Sequence, residues 1–225
     1  MTSIIKASTF DINSLVFSQP TKNKQGSNTV YLNYNGKKKV VLQTPKMNAP
    51  FGLSEYPTET GPKFSLDASF LTMDEDTKVV ELHSLLKSLD DKLVKIACDN
   101  SYKWFGKSMK EEVVREFYRP LVKEGKHKKD SDERYPDTVK FKIRTLNGDV
   151  NLEVYDKDRN KTTIDELVPG SKVRCIFELS PVWFVNKNFG ITLNLIQLEV
   201  SKPEKISGFS FDDDEEFEEY EDIED

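Results

Sequence analysis

Ser171-Lys-Val-Arg-Cys-Ile-Phe-Glu-Leu-Ser-Pro-Val-Trp-Phe-Val185, Asn186-Lys-Asn188 and Phe189-Gly-Ile-Thr-Leu-Asn-Leu-Ile-Gln-Leu-Glu-Val200 form the stretch on which the fold turns. Val173, Cys175 and Phe177 alternate with mostly charged neighbours, the period-two pattern of a half-buried strand. Asn186-Lys-Asn188 reads as a tight turn, so Phe189 to Val200 is the antiparallel partner. Pro181 has no N–H to give a ladder, which makes the first strand bulged or an edge at that point. The apolar phase of the partner shifts near Leu195-Ile196, which predicts another bulge. Long, bulged, strongly curved strands suit a small closed barrel.

Outward from this hairpin the second half of the chain is β. Thr138-Val-Lys-Phe-Lys-Ile-Arg-Thr-Leu146, Asn147-Gly148 and Asp149 to Tyr155 read as another hairpin, with Val139, Phe141 and Ile143 facing in and Lys140, Lys142 and Arg144 facing out. Pro169-Gly170 is a turn. Upstream, Val79, Leu82, Leu86, Leu89, Leu93 and Ile96 recur at spacings of three and four, which predicts a helix over 74–98. Tyr102 to Gly106 reads as a turn. Ser108 and Glu111 fit a capping box for a second helix over 109–119. Residues 123–136 read as a charged, mobile loop. Thr29 to Tyr34, Asn35-Gly36 and Lys37 to Thr44 read as a third hairpin, residues 45–62 as a long loop, and 63–71 as a strand. One short strand is expected within residues 10–17.

The fold class expected is mainly β with a helical insertion (α+β), an OB-fold-like closed β-barrel. The OB-fold is the barrel of this size that binds nucleic acids. The domain spans residues 1–205, with the insertion at about 74–122, and a disordered acidic C-terminal tail covers 206–225.

The tail decides how the charge is read. Residues 212–225 hold eleven of the 39 acidic residues and none of the 33 basic ones, so residues 1–211 keep 28 acids and a net charge of +5. The overall charge of −6 therefore hides a mildly basic body. So many like charges with only Phe217, Tyr220 and Ile223 between them bury too little apolar surface to offset the entropy of ordering.

No catalytic or cofactor constellation is visible, and an enzyme is not expected. His83 and His127 lie on different segments, and Cys98 and Cys175 are too remote for zinc spacing, so no metal and no cofactor is expected. Neither glycine-rich phosphate motif occurs. Asp90-Asp91 reads as part of a solvated helix face. Two isolated cysteines, the lack of an N-terminal secretory signal and the lack of a long apolar run point to an intracellular, reducing compartment with no membrane association.

What remains is the interleaving of cations and aromatics, the combination that holds single-stranded nucleic acid. Tyr31 and Tyr34 run into Lys37, Lys38 and Lys39. Lys140, Lys142 and Arg144 form a row near Tyr135 and Tyr155. Trp183 with Phe184 meets Lys187 and Phe189 across the turn. The competing reading of each is an edge strand guarded by lysines, with its aromatics in the core. Trp104-Phe105 between two lysines reads as packing.

Ser101-Tyr-Lys-Trp-Phe-Gly-Lys107, Glu112-Val-Val-Arg-Glu-Phe-Tyr-Arg-Pro-Leu-Val122, Arg134-Tyr-Pro-Asp-Thr-Val-Lys-Phe-Lys142 and Val182-Trp-Phe-Val-Asn-Lys-Asn-Phe-Gly-Ile-Thr-Leu193, with the acidic tail after them, carry a resemblance. In order and content they resemble the replicative single-stranded DNA-binding proteins of nucleo-cytoplasmic large DNA viruses, relatives of the acidic-tailed single-stranded DNA-binding proteins of T-odd phages. The resemblance implies an OB-fold that coats single-stranded DNA in viral DNA replication, recombination and repair, at a replication site in the host cytoplasm or nucleus. It implies a tail that competes with DNA and recruits polymerase, helicase or primase through Phe217, Tyr220 and Ile223, and a possible homodimer. The phage relatives end on an aromatic residue, whereas this chain ends Asp222-Ile-Glu-Asp225. The rival function is an acidic-tailed chaperone or scaffold for basic proteins with no DNA role.

Overall fold

The computed structural model describes residues 4–24, 26–37, 39–59 and 61–203. Lys38 and the tail, with Phe217, Tyr220 and Ile223, lie outside them. Five strands close a barrel: β1 (Met47–Ala49), β2 (Lys63–Ser69), β3 (Thr138–Ile143), β4 (Ser171–Leu179) and β5 (Leu193–Ser201). The ring runs β1-β2-β3-β5-β4 and returns to β1. Only the β3–β5 pair is parallel. That closed order with one parallel seam is the OB-fold arrangement.

The alternation read from β3 is present: Val139, Phe141 and Ile143 are buried while Lys140 and Lys142 face solvent. Phe141 meets Phe177 of β4 inside the barrel, ring centroids 5.0 Å apart. The bulge expected at Leu195-Ile196 is there. Ile176 faces Gln197 and Phe177 faces Leu195, so Ile196 is the extra residue, and the added twist helps a five-stranded sheet close. The strand drawn through Ser171–Val185 breaks at Ser180-Pro181. Beyond the break Val182–Val185 and Asn188–Gly190 continue as a separate hairpin, whose turn residue Asn186 adopts a positive φ of 55°.

The helical insertion lies between β2 and β3. Helix α1 (Thr77–Asp99) starts at Asp76, whose carboxylate accepts from the Lys78 amide, and it buries Val79, Leu82, Leu86, Leu89, Leu93 and Ala97. The segment read as a turn is a short helix, α2 (Ser101–Phe105), stopped by Gly106 at φ 76°. Helix α3 (Glu111–Phe117) is shorter than the capping-box reading required. Its N-cap is Lys110, with no side-chain cap, and the chain turns extended at Tyr118. No helix among the described residues is long and apolar enough to cross a membrane.

Three further readings need correction. The Asn35-Gly36 turn forms, with φ of 49° and 78°, and Tyr34 and Lys37 close it with one antiparallel bridge, but beyond that bridge its arms pair with other strands. Leu32–Tyr34 pairs with Leu15–Phe17, Asn28–Val30 with Val182–Val185, and Val41–Gln43 with β4. Residues 45–62 are not one long loop, because they contain β1 and the strand Leu53–Tyr56, which lies along β2. Residues 123–136 are held as a hairpin by Tyr135 N to Lys126 O and Lys128 N to Glu133 O. At its base Gly125 passes so close to the Tyr135 carbonyl that a Cβ would stand 1.6 Å from the oxygen.

Candidate nucleic-acid interface

The outer face of β2 and β3 is built from small residues on one strand and long cations on the other. Lys142 lies opposite Ser65, and Lys140 opposite Asp67. Both β2 residues are almost wholly covered, at 6% and 9% exposure. Lys140 Nζ reaches Asp67 Oδ2 at 3.1 Å and donates to the Tyr56 hydroxyl at 3.3 Å, lying 5.2 Å from that ring's centroid. Partial burial pulls the Lys140 pKa down, but Asp67 and Tyr56 outweigh it and leave it above the ordinary lysine value. The hydrogen bond and charge of Lys140 hold the Tyr56 phenol below its ordinary value.

Arg119 enters from the insertion. Buried Asp90 of α1 accepts from the Tyr118 hydroxyl at 2.5 Å and from the Leu121 amide at 3.0 Å, and lies 3.4 Å from the Val122 amide. These contacts fasten the turn around Pro120, and the Tyr118–Arg119 strand then runs parallel to Asn188–Gly190. Asp90 is therefore not part of a solvated face. Its neighbour Asp91 is exposed and meets Arg115 at 3.1 Å. Burial raises the Asp90 pKa, opposed by its hydrogen bonds.

Trp183 lies opposite Gly190 on the hairpin, with Thr29 on its other side. A Cβ at Gly190 would stand 3.0 Å from Trp183 Cζ2 and 3.1 Å from the Arg119 carbonyl oxygen, so glycine is what lets the indole and the Arg119 strand approach.

Two depressions join along this surface. One, of about 640 Å³, lies between Trp183, Thr29 and Asn188. The other, of about 320 Å³, lies between Tyr56, Lys63 and Ser65. Arg119, Lys142 and Thr192 line both, which makes one groove. Among the described residues neither Arg119 nor Lys142 has an ion-pair partner, and the two buried side-chain polar atoms without a hydrogen bond, Ser65 Oγ and Trp183 Nε1, belong to residues that line the groove.

The structure brings together only some of the residues singled out in the sequence. Lys140, Lys142 and Trp183 stand in or beside the groove. Tyr31 is half-exposed and directly follows Val30, the partner of Val182. Lys187 is exposed on the hairpin turn. Arg144 lies past the end of β3 with its guanidinium on Glu178 at 3.2 Å. Lys37 and Lys39 are exposed after the Leu32–Tyr34 strand, which does not border the groove.

Two aromatics are corrected. Tyr34 is buried, stacked on Phe10 at 4.5 Å, and its hydroxyl accepts from the Asp11 amide, so neither ring face can take a base. Phe189 is fully buried among Trp104, Phe105 and Tyr118, at centroid separations of 6.3, 5.3 and 5.3 Å. The pleat is the reason: Phe184 and Phe189 pair on the hairpin face that meets α2, whereas Trp183 and Gly190 pair on the other. Trp104 packs, as its position between helices implied. The groove residues that were missed are Tyr56, Lys63 and Arg119. Tyr56 and Lys63 belong to the loop between barrel strands one and two and the start of strand two, the region by which OB-folds bind oligonucleotides. Arg119 left no local signal, because its segment reads as a helix end.

A model of a family of unknown function, DUF5871, matches residues 70–217. A protein described as uncharacterized protein L291, from Acanthamoeba polyphaga mimivirus, is 24% identical over 170 residues. That match covers 74% of this chain, and the chain spans 27% of the relative's length. Two solved phage proteins are similar at lower identity. The single-stranded DNA-binding protein gp2.5 of bacteriophage T7 is 16% identical with a TM-score of 0.46, over 76% of this chain and 91% of its own. The single-stranded DNA-binding protein of bacteriophage Enc34, solved with single-stranded DNA, is 16% identical with a TM-score of 0.47, over 86% of this chain and 98% of its own. Since the family model spans most of this chain, the chain belongs to DUF5871.

Proposed function

We propose that this protein binds single-stranded DNA without regard to sequence and acts as a coating protein rather than an enzyme. The observation that carries the reading is the continuous groove on the outer β2–β3 face. It has Lys142 and Arg119 at its centre, neither ion-paired among the described residues, and an accessible aromatic at each end, Tyr56 and Trp183. Cations spaced along a channel follow a phosphodiester backbone of any sequence, and aromatic faces accept any base. The groove lies where OB-folds take oligonucleotides.

The acidic tail belongs to the same proposal. Its eleven carboxylates, tethered to a body of net charge +5, compete for the cationic groove at an effective concentration on the millimolar scale. DNA displaces the tail and frees Phe217, Tyr220 and Ile223 for replication proteins such as a polymerase, helicase or primase. The finer assignment is a replicative protein of nucleo-cytoplasmic large DNA viruses, working at a viral replication site, and the mimivirus relative supports a viral setting.

The test is binding of labelled oligo-dT to the full chain and to residues 1–211 across a salt series. Binding that weakens as salt rises, and strengthens at low salt when 212–225 are removed, is expected. No binding by residues 1–211 at ~50 mM salt refutes DNA binding and favours a chaperone for basic proteins. Unchanged low-salt affinity on truncation refutes the competing tail alone.

A further inference from the structure

Lys140 does not look like a phosphate ligand in this groove. Two of its three N–H donors are taken, one by Asp67 at 3.1 Å and one by the Tyr56 hydroxyl at 3.3 Å. Asp67 is nearly buried, at 12% side-chain exposure, so its charge is not met by water alone and holds the ammonium firmly. Tyr56, at the end of the Leu53–Tyr56 strand, is fixed from two sides. Its backbone pairs with Lys63 of β2, and its hydroxyl is tethered to Lys140. The tether is at the hydroxyl edge of the ring, and the residue remains 49% exposed. Beside it the groove changes character, with Phe64, Pro120 and Ile191 forming an apolar wall. An exposed ring of fixed orientation, next to apolar surface, fits a heterocycle better than a phosphate.

We infer that Tyr56 is a stacking platform for one nucleobase, and that the Asp67–Lys140 pair is its positioning device. This rests on the single-stranded DNA reading and deepens it: the Tyr56 end of the groove reads a base, while Lys142 and Arg119 carry the backbone. Lys140 then acts through Tyr56. Removing Lys140 frees the ring to rotate and weakens stacking, but it releases no counterion from the DNA.

The experiment compares oligo-dT with an oligonucleotide of the same length made wholly of abasic sites, using the full chain and fluorescence anisotropy. Tyr56→Ala is expected to weaken oligo-dT binding by about 5- to 150-fold, the range for one stacked base, and to leave binding to the abasic strand unchanged. Tyr56→Phe keeps the ring but loses the tether and is expected to fall between Tyr56→Ala and the unaltered chain. Lys140→Ala is expected to weaken oligo-dT binding while the slope of log affinity against log salt stays the same. A phosphate contact at Lys140 would lower that slope by about 0.7, the value per neutralised phosphate for single strands, and would overturn the positioning role. Equal losses on both strands for Tyr56→Ala, or no loss on either, overturn the platform. Failure of the unaltered chain and of residues 1–211 to bind oligo-dT overturns the DNA reading itself, a result distinct from the others. Tyr56 lies at the surface, whereas Lys140→Ala leaves the nearly buried Asp67 carboxylate unpaired, so binding is read at a temperature where thermal unfolding shows every variant folded, which separates these outcomes from loss of fold.

Discussion

Replacing Asp90 with alanine tests how the helical insertion is joined to the barrel. In the folded protein this carboxylate, 7% exposed, collects the Tyr118 hydroxyl and the Leu121 amide, with the Val122 amide at the limit of bonding distance. Asp90→Ala removes the acceptor and leaves two strong donors, and part of a third, facing a small cavity. A buried donor left unsatisfied costs about 1–3 kcal/mol, and water can enter to satisfy some of the loss. The net destabilisation expected is about 2–4 kcal/mol, the cost of two such donors less what water recovers. Tyr118→Phe removes a single hydrogen bond and should cost about 1 kcal/mol. The two losses should not add, because both break the Asp90–Tyr118 contact. Urea unfolding of Asp90→Ala, Tyr118→Phe and the double variant measures this, with an unchanged slope against urea as the check that the unfolded state is comparable. The pH profile adds a second readout. Burial raises the Asp90 pKa above the ordinary aspartate value. A raised folded-state pKa means the stability it contributes is complete below the ordinary value and is lost as pH rises through the raised one. Asp90→Asn, which cannot titrate, should lack that loss. A difference under about 1 kcal/mol between Asp90→Ala and the unaltered chain would refute the account of this turn.

Lys142→Ala and Arg119→Ala should each weaken oligo-dT binding evenly across sequences and lower the salt slope by about 0.7, read by titration at several salt concentrations. Gly125→Ala should destabilise by at least about 1–3 kcal/mol in a thermal or urea melt, because the Tyr135 carbonyl occupies the space the new Cβ needs. Burial pushes the Asp137 pKa up, but the hydrogen bond from His83 at 2.9 Å and that from the Gly125 amide at 3.0 Å bring it below the ordinary aspartate value. Its stabilising contribution is thus present above the ordinary value and lost as pH falls through the lowered one. Asp137→Asn should therefore flatten the acid side of the stability profile below about pH 4, followed by unfolding at fixed pH steps.

The parts of the fold legible in the sequence were those with enough length to show a period. β3, β4 and β5 run six to nine residues, β3 and β4 alternating cleanly and β5 on either side of its bulge, and α1 repeats its apolar spacing over 23 residues. β1 was invisible. It is three residues, Met47–Ala49, bracketed by Pro45 and Pro50, too short to show alternation and flanked by residues that mark a loop. Yet β1 is the strand through which β2 and β4 meet, so the closing element of the barrel carried the least local signal. The hairpin aromatics were ambiguous for a different reason. Both faces of Val182–Val185 bear large side chains, and period two states that Trp183 and Phe184 point apart without stating which side α2 covers.

The cation row of β3 shows why the site was only half legible. Alternation correctly put Lys140, Lys142 and Arg144 on one outward face, and in sequence they are equivalent. In the folded chain they are not, because each meets a different neighbour. Lys140 faces Asp67, Arg144 meets Glu178, and Lys142 faces Ser65, which carries no charge. Two of the three positive charges are therefore already answered from β2 and β4, strands distant in sequence, and the unanswered one stands at the centre of the groove beside Arg119. A net charge of +5 for residues 1–211 describes the average field around the body, but attraction of a phosphate at close range depends on charge that no neighbour has neutralised. The useful quantity is the local residue of positive charge after cross-strand pairing. On the proposed reading it concentrates the backbone contacts at Lys142 and Arg119, two residues that no periodic pattern in the chain sets beside each other.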